Sequence, residues 1–206
     1  MHRIFSFLLA GILAFLLAGC SPAAALGGEA RAMTRSFAYS AVPFAVSIRG
    51  QYAGMAETSG VRGNFSATVT YGTPDAEGGR DIRLTFTSPP TLAGLTVSTH
   101  YEGSAPGDNP ERTVTLSYPS PYGTVTSETR GSCYDGLVRY AEALLPIGNV
   151  TGVSPMDKAG VNTVTRTSIS GRQAVFTFSK DASLPLRVEV TDTYGTLSLT
   201  VAPLQE

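Results

Sequence analysis

Only one stretch of the chain beyond its first twenty residues, Ser132 to Leu145, carries the period of a helix, and nearly everything around it carries the period of a strand. Tyr134, Leu137, Val138, Ala141, Leu144 and Leu145 recur at three- and four-residue spacings, which makes one face apolar. Ser132 followed by Asp135 supplies an N-cap with an acidic first turn, and Pro146 with Gly148 closes the far end. A lone amphipathic helix among strands has to bury its stripe against a sheet, so the predicted class is α+β and mainly β, with a curled antiparallel sheet around a central helix.

The strands are read from a period of two. Phe44, Val46, Ile48 and Tyr52 alternate with Ala45, Ser47 and Arg49, and Phe65, Ala67, Val69 and Tyr71 alternate with Ser66, Thr68 and Thr70. The pattern returns at Ile82–Phe86, at Val114–Tyr118, and after the helix at Ala174–Phe178, Leu186–Val190 and Leu197–Val201, about seven strands in all. One face is apolar and the other is threonine and serine, as in an antiparallel meander with one wet face. Lys180–Ser183 and Asp192–Gly195 read as hairpin turns, and Asn149–Asn162 as a crossing loop. A sheet of this size offers more apolar surface than one such helix covers. Either Leu92–Leu95 with Phe37 and Tyr39 completes the core, or a hollow remains for an apolar ligand.

The start of the chain speaks to location. Arg3 provides a positive n-region, Ile4–Leu17 an apolar h-region, and Leu17-Ala18-Gly19-Cys20 a small-residue end, so residues 1–19 read as a signal peptide. The final four residues resemble the bacterial lipobox, in which Cys20 is acylated with palmitate-type chains and becomes the new N-terminus. Acyl chains contribute about 0.8 kcal/mol per buried methylene, so two or more hold a protein on a bilayer. Residues 20–34, rich in Ala and Gly, read as a lipidated tether, and 35–206 as a single β-rich domain. The expected place is outside the cytoplasm, anchored to the outer face of the cell membrane or to an outer membrane.

Composition narrows the chemistry. The formal charge is −1, only 15% of residues are charged, and no basic run occurs, which argues against a nucleic-acid partner. With Cys20 taken by lipid, Cys133 stands alone, which leaves no internal disulfide and no CxxC metal site. Cys133 with His100 could form a nucleophile and base, but an isolated cysteine at a helix start is ordinarily a small buried residue. No GxSxG, HExxH or glycine-rich phosphate loop is present, and Asp81, Glu102, Glu128, Glu189 and Asp192 read as solvated surface charge. An enzyme is not expected, nor a cofactor or metal.

The order of elements, with Pro89-Pro90-x-Leu92-x-Gly94, one central helix, and Phe178-Ser179-Lys180-Asp181-x-x-Leu184-Pro185-Leu186-Arg187-Val188-Glu189-Val190-x-Asp192-x-Tyr194-Gly195, resembles the lipoprotein-carrier (LolA/LolB-like) family. It is also similar to clostridial lipoproteins of that fold, such as the germination lipoprotein GerS. The resemblance runs from Val42 to Pro203 and is tightest over Ala174–Pro203. It implies a half-open barrel whose concave apolar face is lidded by helices. The carriers hold acyl chains there, and the clostridial relatives work through partner proteins. This chain departs from the carriers in having no Trp, and the basic residue that holds the soluble carrier's lid has no matched position. Arg49 and Arg83 are candidates only by lying on strands, and no family site residue is carried over.

Two functions are therefore expected in the alternative. One is a membrane-anchored, non-enzymatic module that binds an apolar or lipid ligand, with Phe44, Phe65, Phe86, Leu116, Leu137, Leu144 and Phe176 lining the hollow. The other is a scaffold lipoprotein with a filled core that binds an envelope, sporulation or germination protein such as a cell-wall enzyme.

Overall fold

The computed structural model describes residues 35–54, 63–102, 113–130, 135–154, 157, 158, 160–180, 183–193 and 195–204. A 3₁₀ turn, η1 (Arg35–Ala41), leads into six strands: β1 (Phe44–Gly54), β2 (Gly63–Tyr71), β3 (Arg80–Ser88), β4 (Thr96–Tyr101), β5 (Thr113–Ser120) and β6 (Gly123–Arg130). One α-helix, α1 (Asp135–Glu142), follows, and then β7 (Asn149–Val153), β8 (Val161–Thr167), β9 (Gln173–Ser179), β10 (Arg187–Asp192) and β11 (Gly195–Pro203).

The eleven strands make one antiparallel sheet in the order β6-β5-β4-β3-β2-β1-β11-β10-β9-β8-β7. Its edges, β6 and β7, do not pair with one another, so the sheet curls around the helix without closing. The class is α+β, mainly β, as the helix and the alternation require. Side chains in phase with Ile48, Val69, Leu84, Val97, Phe176, Val188 and Leu199 point inward, and each of these is fully buried. Hydroxyl and charged residues hold the outer face, as at Thr70, Arg83 and His100. Gly50 is also in the inward phase of β1; a Cβ there would lie 2.3 Å from the Phe65 ring, so the missing side chain is what lets that ring cross the strand.

Four strands lie where the sequence shows no alternation. β6 has Thr, Ser, Glu and Arg around a single Val and is exposed along nearly all its length, so no apolar phase marks it. In β8 the inward residues are Asn162, Val164 and Arg166, so two of three inward positions are polar. β4 places Val97, Thr99 and Tyr101 inward, with a threonine in the middle of the apolar phase. β7 is a five-residue edge strand with a glycine and an irregular pairing to β8. The predicted crossing loop over Asn149–Asn162 instead begins with β7 and ends in the start of β8, with a connection between the two paired strands.

The helix is shorter than its period predicts. It stops at Glu142, because the Leu145 amide donates back to the Glu142 carbonyl at 3.0 Å in a tightened turn and Pro146 disfavours the α conformation at Leu145. Ala143, Leu144 and Leu145 stay buried all the same. The expected N-cap at Ser132 lies outside the described residues. Leu92–Leu95 is the half-buried loop of the β3–β4 hairpin, with the Gly94 amide donating to the Phe86 carbonyl at 2.9 Å. It does not complete the core. Nor is Asp192 a solvated charge: at the end of β10 it accepts from Arg139 of α1, and both side chains are mostly buried.

Candidate functional site

Among the described residues, two short segments cover the concave face. On one half, α1 packs against β3 and β4 and buries Leu137, Val138, Tyr140 and Ala141. The Tyr140 ring lies 4.7 Å from Phe65 and 6.4 Å from Phe86, and those two are 5.8 Å apart. On the other half, η1 sets Phe37 edge-on to Phe176 at 5.0 Å and to Phe178 at 5.3 Å. Tyr39 meets Phe44 edge-on at 5.2 Å, and Phe44 stacks on Tyr71 at 4.2 Å. Each such pair adds about 0.5–1.5 kcal/mol beyond the area it buries. A 3₁₀ turn has poor hydrogen bonds of its own, so these aromatic anchors give η1 its place. A buried hydrogen bond ties η1 to the turn after α1, from the Tyr39 hydroxyl to the Leu144 carbonyl at 2.6 Å.

Two arginines reach inward beneath η1. Arg80, 4% exposed, is in phase with Ile82, Leu84 and Phe86 on β3. Its guanidinium donates to the carbonyls of Ser40 and, at 3.3 Å, of Val42. Arg166 is in phase with Val164 on β8, lies 5.3 Å over the Phe37 ring and donates to the Gly148 carbonyl just past the helix. The Nε atoms of both are buried and make no hydrogen bond. Burial pulls both guanidinium groups below the ordinary arginine range, and the tyrosine hydroxyls around them offset part of that. Burial also pushes Tyr39 and Tyr71 far above the ordinary phenol range, so both stay protonated. The Tyr71 hydroxyl lies near the Leu144 backbone without a hydrogen bond of ordinary geometry.

Of the seven expected lining residues, Phe65, Phe86, Leu144 and Phe176 are at most 2% exposed and Leu137 is 8% exposed. Phe44 and Leu116 are half-buried. The structure divides them between the covers: Phe65 and Phe86 under α1, Phe176 under η1, and Phe44 beside Tyr39. Phe37 and Tyr39 are buried against the rings of Phe176, Phe178 and Phe44. Arg49 and Arg83 are exposed on the outer face, out of the inward phase, and hold no cover. The inward phase itself was the signal for Arg80 and Arg166.

Cys20 and Cys133 lie outside the described residues, and His100 sits on the outer face with its Nδ1 2.9 Å from Asp81 and its Nε2 3.9 Å from Asp75. Among the described residues no cluster of three or more His, Cys, Asp or Glu could hold a metal, and no helix is long and apolar enough to cross a membrane. Two open grooves of about 440 and 500 Å³ lie on the outer face among mostly polar residues, and of the seven expected lining residues only Phe65 borders either.

No protein-family model matches the chain, and no curated protein matches it. Among solved structures it is similar to an uncharacterized conserved protein from Thermus thermophilus, with 14% identity and a TM-score of 0.44 over 86% of this chain and 87% of that one. It is similar to a LolA superfamily protein from Nitrosomonas europaea, with 13% identity and a TM-score of 0.39 over 81% and 87%. The lipoprotein LppX of Mycobacterium tuberculosis shares 14% identity and a TM-score of 0.38 over 84% and 94%. All three likenesses are distant.

Proposed function

We propose that this chain is an extracytoplasmic lipoprotein, anchored through Cys20 and the 20–34 tether after loss of residues 1–19, whose curled sheet binds an apolar ligand of the acyl-chain kind. It is a binding module and not an enzyme. One observation carries this reading: among the described residues, the apolar face of an eleven-stranded sheet is covered by a seven-residue turn and an eight-residue helix, and the turn holds its place largely through Phe37 and Tyr39. If those two rings leave, Phe176, Phe178 and Tyr71 would face an open hollow, so the form with both rings in place is the ligand-free state of an exchanging site.

Anchoring and binding are tested separately. Cells fed an alkyne analogue of palmitate should label the wild-type chain and leave a Cys20→Ala chain unlabelled; equal labelling refutes the anchor. For the hollow, native mass spectrometry of the whole chain carrying Cys20→Ser, followed by lipid extraction, should show adducts of acyl-chain mass. Phe37→Ala should raise their fraction severalfold, since the variant removes the ring that competes for the site. A clean ligand-free mass in both proteins, with no uptake of an apolar dye, would sink the binding reading.

One observation favours the second reading, a scaffold for an envelope protein. The tip of the β5–β6 hairpin exposes Tyr122 at 99%, with Val125 at 61% and Tyr118 at 41% directly across the pair. A photocrosslinker at Tyr122 that captures one envelope protein, together with a clean ligand-free mass, would establish it.

A further inference from the structure

Arg80 and Arg166 carry charge into the apolar side of the sheet with no carboxylate partner among the described residues. That is unusual, because burying a charge costs several kcal/mol unless an opposite charge or a full set of hydrogen bonds compensates. Here the compensation is partial. Neutral carbonyls take some of the N–H groups, the two Nε atoms are left over, and the acceptors come from the covering segments: Ser40 and Val42 at the end of η1, Gly148 after α1. A device meant only to hold the covers could use a neutral amide and avoid desolvating a cation. Guanidinium is the donor suited to a carboxylate or phosphate, which it meets with two parallel hydrogen bonds.

We propose that Arg80 and Arg166 form the head-group site of the hollow, and that its ligand is an acyl chain bearing an acidic head, carboxylate or phosphate, whose oxygens replace the carbonyls of Ser40, Val42 and Gly148. The inference rests on the binding reading above and names its ligand class. The arginines lie on β3 and β8, on opposite sides of the central β1–β11 pair, and both sit under η1, so a head held there leaves its chain to run where Phe37 and Tyr39 now lie. The hydroxyl of Tyr71, on the sheet beside Arg80 and kept protonated in this setting, stands nearby as a further donor.

The test is a binding titration of the whole chain carrying Cys20→Ser with three ligands of one chain length: hexadecanoate, hexadecyl phosphate and hexadecanol. The wild type should bind one or both anions at least about tenfold more tightly than the alcohol, a difference of about 1.4 kcal/mol. Whichever anion leads identifies the head. In R80Q and R166Q the preference should fall to near unity while alcohol binding holds or improves, because the contacts to the covers are weakened too. R80K, which keeps the charge and loses the paired geometry, should retain part of the preference; a melting curve shows that each variant is folded. Equal binding of all three by the wild type, or a preference untouched in folded R80Q and R166Q, overturns the head-group site and leaves the hollow standing. Binding of none of the three overturns both.

Discussion

Replacing Phe176 by Ala is expected to lower the unfolding free energy by about 3–5 kcal/mol, the range for a large aromatic removed from a close-packed interior. Phe176 is 0% exposed, sits opposite both Val164 and Val188 on neighbouring strands, and receives the edge of Phe37 at 5.0 Å. Its loss removes the ring, leaves a void between β8 and β10, and takes away one of the two surfaces on which Phe37 rests. At roughly 2–4 °C per kcal/mol, the melting temperature should drop by about 10 °C. Phe176→Leu keeps much of the volume and should cost about 1.5 kcal/mol or less. Urea denaturation of the three proteins checks this; a loss under about 1 kcal/mol for the alanine variant would show that the concave face is not close-packed around this ring.

The second large effect is at a backbone position. Gly148→Ala should cost about 3 kcal/mol, from two causes that act together. Gly148 has a φ of +85°, which an L side chain adopts at a cost of about 1–2 kcal/mol. A Cβ there would also lie 2.5 Å from the Thr167 carbonyl oxygen and 2.7 Å from the Ser168 amide nitrogen, backbone atoms at the end of β8 that cannot yield without disturbing the Asn149–Thr167 pairing. Gly171 separates the causes: its φ is +82° but nothing lies within 4 Å of the Cβ position, so Gly171→Ala should cost only the conformational share. Equal losses in the two variants would mean that the clash at Gly148 relaxes freely. Because Arg166 donates to the Gly148 carbonyl, the variant should also loosen the cover over Phe37.

What the sequence reveals and hides in this chain follows one physical line. Strands buried on one face show themselves when the inward residues are apolar, as in Phe65-x-Ala67-x-Val69-x-Tyr71, and this is why the sheet and its curl around a helix are legible. They disappear when inward positions are polar, as at Asn162 and Arg166 in β8, or when neither face is buried, as in β6. The same parity contained the arginines. Arg80 keeps step with Ile82, Leu84 and Phe86, whereas Arg83 does not, so lying on a strand mattered less than the phase on it. The role of Phe37 and Tyr39 is less legible, since a seven-residue 3₁₀ turn has no period long enough to announce itself and its position depends on contacts made far along the chain, at Leu144 and Phe176.

The sheet order also sets a timetable for folding. The central pair joins β1 to β11, with Val46 opposite Pro203, so the seam between the two half-sheets is between the first strand of the chain and the last. Each half is a run of hairpins that zips by local steps, but joining them requires closing nearly the whole chain into one loop, an entropic cost met only when β11 is available. Until then both β1 and β10 would present bare edges, and the rings that bridge the halves would lack half their partners. A chain still emerging, or clipped before Leu197, would therefore hold two incomplete sheets open to solvent. Completion of the fold should come late and in one step, so a chain that lacks its last strand holds neither half of the sheet closed.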